Sequence, residues 1–349
     1  MITLEGVTAR AGAFALRDVT VSIAAGEWGI VLGPAGSGKT TLLETIAGVR
    51  GVSSGRVLLR GEDVTTRAPE SRGVGIVYQH GYLFPHLTVE ENVGYAAGSR
   101  GRVREVAERL GADQLFGRPV ASLSGGERQI VAVARALAPA PDILLLDEPF
   151  AALDPRRRVR LRVELRKMHR ERGTTVLHVT HDFAEAGTLG DVALVLESGR
   201  LVQVAAPSIL FRKPATGAVA DFLGAENVFA GEVTRVATSE TQEPETLTFE
   251  GEGIRLAAIG THPGGQGHVV IRGEEVVVAR ERSMPSSARN VLEGVVAEVA
   301  GQGVLARVSI SVGRTTLVAI VTDVSARELG LAPGVAVVAS IKATAVHVC

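Results

Sequence analysis

The chain has 349 residues, 46% of them apolar, with 37 basic and 38 acidic side chains and a formal net charge of −1. That length exceeds one ordinary hydrophobic core and implies two or three domains, while the near-neutral charge excludes the electrostatic footprint of a nucleic-acid or anionic-lipid binder. The single cysteine, Cys349, excludes a disulfide framework and points to the cytosol, and no apolar run reaches the 18 residues of a membrane span. The opening Met1-Ile2-Thr3-Leu4-Glu5 is not that of a signal peptide, so any membrane is expected beside the chain.

Residues 2–32 read as short strands, with Val19-Thr20-Val21-Ser22-Ile23 alternating at period two. Phe14 in this stretch suits stacking on an adenine and suits a core position equally. Apolar Ile30-Val31-Leu32 then enters Gly33-Pro34-Ala35-Gly36-Ser37-Gly38-Lys39-Thr40, and Thr41 opens a helix to Ala47. Glycine, four residues and Gly-Lys-Thr between a strand and a helix is a phosphate-cradling loop. Its glycines leave backbone N–H groups bare for phosphate, and the helix start adds partial positive charge. Lys39 is placed for the β- and γ-phosphates and the Thr40 hydroxyl for Mg²⁺. The stretch is therefore expected to bind a nucleoside triphosphate. Only four lysines occur, Lys39, Lys167, Lys213 and Lys342. A compact ammonium on phosphate is not reproduced by an arginine fork, which also singles out Lys342.

Turn-bounded strands follow at 56–59, 61–63 and 75–78, with Gln79 just past the last, either loop surface or a ligand for Mg²⁺ or water. Residues 80–138 are expected to form a helical subdomain. Within it Leu123-Ser124-Gly125-Gly126-Glu127-Arg128-Gln129 opens a helix stopped by Pro139; Ser124 is a good N-cap and the two glycines leave the helix end bare for an anion. Ile143-Leu144-Leu145-Leu146 reads as a strand buried on both faces. Asp147 and Glu148 lie at its end, where ligands bind in α/β sheets; Asp147 suits orienting Mg²⁺ and Glu148 polarising an attacking water. Asp154-Pro155 opens a basic helix to about Arg172. The next strand, 175–179, ends in Thr180-His181-Asp182, which puts His181 within reach of a γ-phosphate. His178 reads as core, and two histidines three apart with no cysteine nearby do not make a metal site.

In that order and spacing, the phosphate loop, Gln79, Leu123 to Gln129, Ile143 to Pro149, Asp154 and His181 resemble the nucleotide-binding subunit of an ATP-binding-cassette (ABC) transporter, over about residues 1–225. Leu83-Phe84-Pro85-His86-Leu87-Thr88-Val89-Glu90-Glu91-Asn92-Val93 is similar to the importer branch. The resemblance implies an α/β P-loop ATPase domain, a mixed sheet with a helical subdomain, working as a head-to-tail homodimer. Each ATP would lie between Lys39 of one copy and the Ser124-Gly125-Gly126 stretch of the other. Asp154 would carry information across the dimer, and the region after Gln79 would grip one of two membrane-spanning permease subunits. Hydrolysis of ATP with Mg²⁺ would be positional and electrostatic, with Glu148, His181, Gln79 and Asp154 as the catalytic set. The chain would sit peripherally on the cytoplasmic face of the membrane. An extracytoplasmic oxyanion-binding protein is implied as an indirect partner, and no nucleic acid.

A hairpin over 191–204 finishes the sheet, and Pro207 to Gly224 reads as a helical bridge. From about Asn227 short strands alternate with Gly, Pro and polar turns, so 226–349 is expected to be an all-β barrel or sandwich; Thr238 to Thr246 reads as a loop. Ser286-Ser287-Ala288-Arg289-Asn290-Val291-Leu292-Glu293-Gly294, Ala319-Ile320-Val321-Thr322, Glu328-Leu329-Gly330-Leu331-Ala332-Pro333-Gly334 and Ala339-Ser340-Ile341-Lys342-Ala343-Thr344 are similar to the molybdate-binding, molbindin-type (TOBE/MOP) module, an OB-like barrel, over about 284–349. This second resemblance implies molybdate or tungstate as cargo and as a regulatory ligand that slows transport. An oxyanion site needs short hydroxyl donors, exposed N–H groups and cations; Ser287, Arg289, Asn290, Ser325 and Lys342 are the candidates, a capped turn and a solvated lysine the plainer alternative. A sulfate or sugar importer whose barrel only braces the dimer is the competing reading. An oxyanion storage protein is disfavoured by the complete hydrolytic set, and a DNA-repair or translation ATPase by the single cassette.

Overall fold

The computed structural model describes residues 1–236, 245–282 and 286–349, which separate into two compact units, Met1–Ser208 and Ile209–Cys349. The first unit runs β1 (Ile2–Ala11), β2 (Phe14–Ile23), β3 (Trp28–Leu32), α1 (Lys39–Ala47), β4 (Val52–Leu59), β5 (Glu62–Asp63) and β6 (Val74–Val77). A helical insert follows, α2 (Val89–Gly94), α3 (Arg100–Leu110) and α4 (Gly125–Leu137). Then come β7 (Ile143–Asp147), α5 (Pro155–Arg172), β8 (Thr175–Val179), α6 (Phe183–Leu189), β9 (Val192–Glu197) and β10 (Arg200–Ala205).

These strands form an antiparallel sheet of order β2-β1-β4-β5 and a mixed sheet of order β10-β9-β3-β8-β7-β6, parallel except where β10 pairs with β9. Every residue of β3, β7 and β8 is buried, as expected of central parallel strands covered on both faces. Leu42, Leu43 and Ile46 of α1 share one core with Leu4, Leu16 and Val57 of the first sheet and Val31, Leu145 and Val179 of the second. The far end of α1 is closed by Arg72, only 2% exposed, whose Nη1 donates to Thr45 O at 3.0 Å and Ile46 O at 2.8 Å. That buried guanidinium satisfies carbonyls left open at a helix end and holds the helix behind the phosphate loop.

Helix α7 (Pro207–Arg212) spans the edge between the units; α8 (Gly217–Phe222) lies against β11 (Asn227–Arg235) and a later strand of the second unit. The unit continues with β12 (Glu245–Gly251), β13 (Ile254–Gly260), β14 (Gly265–Ile271), β15 (Val277–Ala279), β16 (Asn290–Gln302), β17 (Leu305–Val312), β18 (Thr315–Thr322), α9 (Asp323–Glu328), β19 (Ala336–Ile341) and β20 (His347–Val348). Of the loop expected over Thr238 to Thr246, residues 238–244 lie outside the described residues; Thr246 instead belongs to β12, paired with Ile259.

The two sheets of this unit have the orders β13-β12-β11-β14-β20 and β18-β17-β16-β19-β15, which is one arrangement repeated. Each repeat lends its last strand to the other sheet, β20 pairing with β14 and β15 with β19. Two buried asparagines in equivalent places lock the exchange. Asn227 Nδ2 donates to Val318 O at 2.9 Å and Ile271 O at 3.1 Å, and its Oδ1 accepts from Val318 N at 2.6 Å. Reciprocally, Asn290 Oδ1 accepts from Ala257 N at 2.6 Å and its Nδ2 donates to Ala257 O at 2.9 Å. The recipients lie in Leu256-Ala257-Ala258-Ile259 and Leu317-Val318-Ala319-Ile320, matching runs of β13 and β18. One apolar core, including Phe249, Leu256, Ile310 and Leu317, joins both sheets.

Candidate active site

Because β3, β6, β7 and β8 run parallel, their carboxyl ends deliver the phosphate loop, Gln79, Asp147-Glu148 and His181 to one edge of the mixed sheet. A cleft of about 390 Å³ opens there, lined by Gly36, Gly38, Lys39, Thr40, Thr41, Gln79, Asp147 and Glu148, with Phe14 at the rim. A Cβ on Gly33 would stand 2.2 Å from Leu196 O, and one on Gly38, at φ 103°, 2.6 Å from Phe14 Cζ. Phe14 thus both packs on the loop and faces the cleft. Within the loop Ser37 N donates to Pro34 O at 3.2 Å, and the buried Ser37 Oγ has no hydrogen-bond partner.

Lys39 Nζ donates to Gly33 O at 2.7 Å and Pro34 O at 2.9 Å, folding the ammonium over the loop. Burial pulls its pKa down, against the opposing pull of Glu148 and Asp147. Thr40 Oγ1 donates to Asp147 Oδ2 at 2.8 Å. Burial raises the Asp147 carboxyl above its ordinary range, with the Thr40 bond and Lys39 acting the other way. Glu148 is likewise raised, first by burial, while His181 opposes. Its Oε1 lies 2.8 Å from His181 Nδ1. Glu148 also holds φ 48°, a left-handed backbone costing about 1–2 kcal/mol for a residue with a Cβ, and its N–H is tied to Val179 O at 3.0 Å. A carboxylate on a strained backbone, lining this cleft from a strand end, is a candidate for chemistry.

The family model described as ABC transporter matches residues 16–151, and that of the TOBE domain matches 286–348. A molybdate/tungstate import ATP-binding protein of Pyrococcus horikoshii is 40% identical over 100% of this chain and 99% of its own length. That of Thermococcus kodakarensis is 43% identical over 84% of this chain and 87% of its own. The chain belongs to the ATP-binding subunits of ABC transporters. Among solved structures, the post-hydrolysis dimer of the ATP-binding cassette MJ0796 with ADP and phosphate superposes with a TM-score of 0.55 at 30% identity, covering 59% of this chain and 99% of that one. This ABC ATPase therefore binds ATP.

Ser124, Gly125 and Gly126 are not in the lining of that cleft. Ser124 caps α4 in a reciprocal box: its Oγ accepts from Glu127 N at 3.3 Å, and Glu127 Oε2 accepts from Ser124 N at 2.8 Å. A Cβ on Gly126 would stand 3.1 Å from Ala152 O, so the signature glycines adjoin the loop leading to Asp154. Asp154 in turn caps α5, its Oδ1 accepting from Arg156 N and Arg157 N, both at 3.0 Å. The importer-like segment after Gln79 is held by buried Asn92, whose Oδ1 accepts from Phe84 N at 2.8 Å and whose Nδ2 donates to Thr88 O at 2.9 Å; Tyr82 and Tyr95 stand exposed beside it.

Two groups were not singled out in the sequence. Thr180 Oγ1 donates to Glu185 Oε2 at 2.6 Å and accepts from Asp182 N at 3.0 Å, bracketing His181. Glu185 is 3% exposed, and its carboxyl is raised by burial. On a short helix it reads as a solvent-facing acid; only tertiary packing buries it. His178 is core as expected, fully buried between the rings of Trp28 and Phe150, and burial depresses its pKa to about 3.

In the second unit the ladder ends at Asn290↔Ile341, and Arg289 and Lys342 each lie one residue beyond that pair, both exposed. Ser287 is exposed just before them. Ser325 shares its hydroxyl with Thr322 at 2.8 Å. The Asn290 amide is buried, its Oδ1 accepting from Ala257 N and one Nδ2 N–H donating to Ala257 O, so it locks the two repeats together.

Proposed function

We propose that this chain is the ATP-hydrolysing subunit of a molybdate/tungstate importer, and that its second unit senses the same oxyanion and slows transport. The observation that carries the cargo assignment is likeness over the whole length of both chains, β units included. A sulfate/thiosulfate import ATP-binding protein of Chromobacterium violaceum is 44% identical but over only 65% of this chain. The cation pair Arg289–Lys342 fits a tetrahedral dianion.

In this reading two copies close head to tail on two ATP molecules, each between one copy's phosphate loop and the other's Ser124-Gly126 helix start. Lys39 swings from Gly33 O and Pro34 O onto the β- and γ-phosphates, and the backbone N–H groups of Gly36 to Thr41 take the phosphate oxygens. Among the described residues no three His, Cys, Asp or Glu side chains cluster. Thr40, Asp147 and Gln79, which line the cleft, would hold Mg²⁺ together with the phosphates, a hard-oxygen set that suits this ion. Bound Mg²⁺ would neutralise charge on the transferring phosphoryl group.

Glu148, ionised, accepts a hydrogen bond from the attacking water and takes its proton as the oxygen bonds to the γ-phosphorus. The β,γ-bridging P–O bond breaks, leaving ADP and phosphate. His181 holds the Glu148 carboxylate through Nδ1 and offers Nε2 to the γ-phosphate. Asp154 braces the signature loop against the second copy. The exposed Tyr82 and Tyr95 beside the Asn92-braced segment suit docking of a permease subunit, through which the chain would work at the cytoplasmic face; among the described residues no helix is long and apolar enough to cross a membrane. An extracytoplasmic binding protein would deliver cargo from the other side.

The test is ATPase of the reconstituted transporter in liposomes. Molybdate- or tungstate-loaded binding protein outside should stimulate hydrolysis, and either anion inside should slow it. Stimulation by sulfate alone would reassign the cargo; full stimulation with no internal inhibition would reduce the second unit to a brace.

A further inference from the structure

The internal repeat permits a comparison inside one chain. Asn227 pairs with Ile271 as Asn290 pairs with Ile341. One residue beyond each pair, the first repeat sets Glu226 beside Arg272 where the second sets Arg289 beside Lys342. The charges differ in kind. Glu226 Oε2 accepts from Gly273 N at 3.0 Å, and the Arg272 guanidinium is turned onto Phe211 O, at 3.2 Å from Nε and 2.5 Å from Nη2. Both side chains are half-buried and satisfied. Arg289 and Lys342 are exposed, and among the described residues no hydrogen bond or ion pair holds either side chain.

We infer that Glu226 is a built-in anion that closes the first repeat's copy of the oxyanion site, so that each chain takes up a single dianion, at Arg289 and Lys342. The inference rests on the oxyanion reading above. Two adjacent cations without a carboxylate repel each other and gain from a shared tetrahedral dianion. In the first repeat the protein supplies the negative charge itself, from a carboxylate already bonded to backbone N–H, and an incoming oxyanion would meet that charge and no free cation. Position 224 is glycine where the second repeat has Ser287, so the first repeat also lacks the hydroxyl donor. Glu226 is thereby the residue that sets how many oxyanions the chain binds.

The experiment is equilibrium dialysis of the full-length chain against sodium tungstate, with thermal unfolding to verify folding of each variant. Wild type is expected to take up one tungstate per chain. Arg289→Glu, which writes the first repeat's charge into the second at an exposed position, should lower uptake to none. Glu226→Arg should add a second, weaker equivalent. Two equivalents in wild type, full uptake by Arg289→Glu, or a folded Glu226→Arg chain that still takes up one would overturn the inference while leaving the oxyanion reading in place. No uptake by wild type would overturn both.

Discussion

Replacing Thr180 by valine removes one hydroxyl and almost no volume, and it isolates how His181 is held. In the structure that hydroxyl donates to the buried Glu185 at 2.6 Å and accepts from Asp182 N at 3.0 Å, the second bond spanning His181. A hydrogen bond to a charged group contributes about 1.5–3 kcal/mol, and a buried N–H left without an acceptor costs about 1–3 kcal/mol. The loop will shed that penalty by moving, and a displacement of about 1 Å in a positioned group costs on the order of 100-fold in rate. Thr180→Val should therefore lower kcat by roughly 10- to 100-fold, with KM for ATP changed less than about twofold because the phosphate loop is untouched. Thr180→Ser, which keeps the hydroxyl, should restore most of the rate. The deciding assay is steady-state ATPase of a double-mutant cycle with His181→Ala. If Thr180 acts by placing His181, adding Thr180→Val to His181→Ala costs little more. A further tenfold loss in that background would refute the reasoning and leave the Thr180–Glu185 pair as a stability element alone.

Glu148→Gln should retain ATP affinity and lose hydrolysis by roughly 10²- to 10⁴-fold, read by nucleotide trapping; rapid turnover would remove Glu148 as the base. Burial raises the Glu148 carboxyl and the base must be ionised, so the acid limb of kcat/KM should lie above the ordinary glutamate range. His181 opposes that rise, so in His181→Ala the limb should move to still higher pH; a shift to lower pH would contradict the pairing. Asn227→Ala strips partners from Val318 N, Val318 O and Ile271 O. It should destabilise the second unit by about 2–4 kcal/mol, measured by chemical denaturation of the full chain, with the first unit's transition unchanged.

The nucleotide site was legible because its chemistry is local: a phosphate loop needs glycines, a lysine and a threonine at fixed spacing, and the strands that position Asp147, Glu148 and His181 announce themselves as apolar runs. What stayed hidden depends on distant segments. Glu185 is polar on a seven-residue helix, and nothing nearby in sequence says that packing buries it against Thr180. Asn290 sits inside the Ser-Ala-Arg-Asn run and looked like a ligand-binding amide, yet its partner, Ala257, is 33 residues away in the other repeat. The repeat is hard to see in the sequence because few positions match, and those that do, Asn227 with Asn290 and Leu256 with Leu317, carry a buried hydrogen bond or a core contact. At the neighbouring positions the two repeats differ in charge, with a half-buried Glu226 in the first and an exposed Arg289 in the second. Where two copies of one fold share their buried asparagines and differ in the charge next to them, the asparagines report what holds the fold together and the charge is where the two copies part.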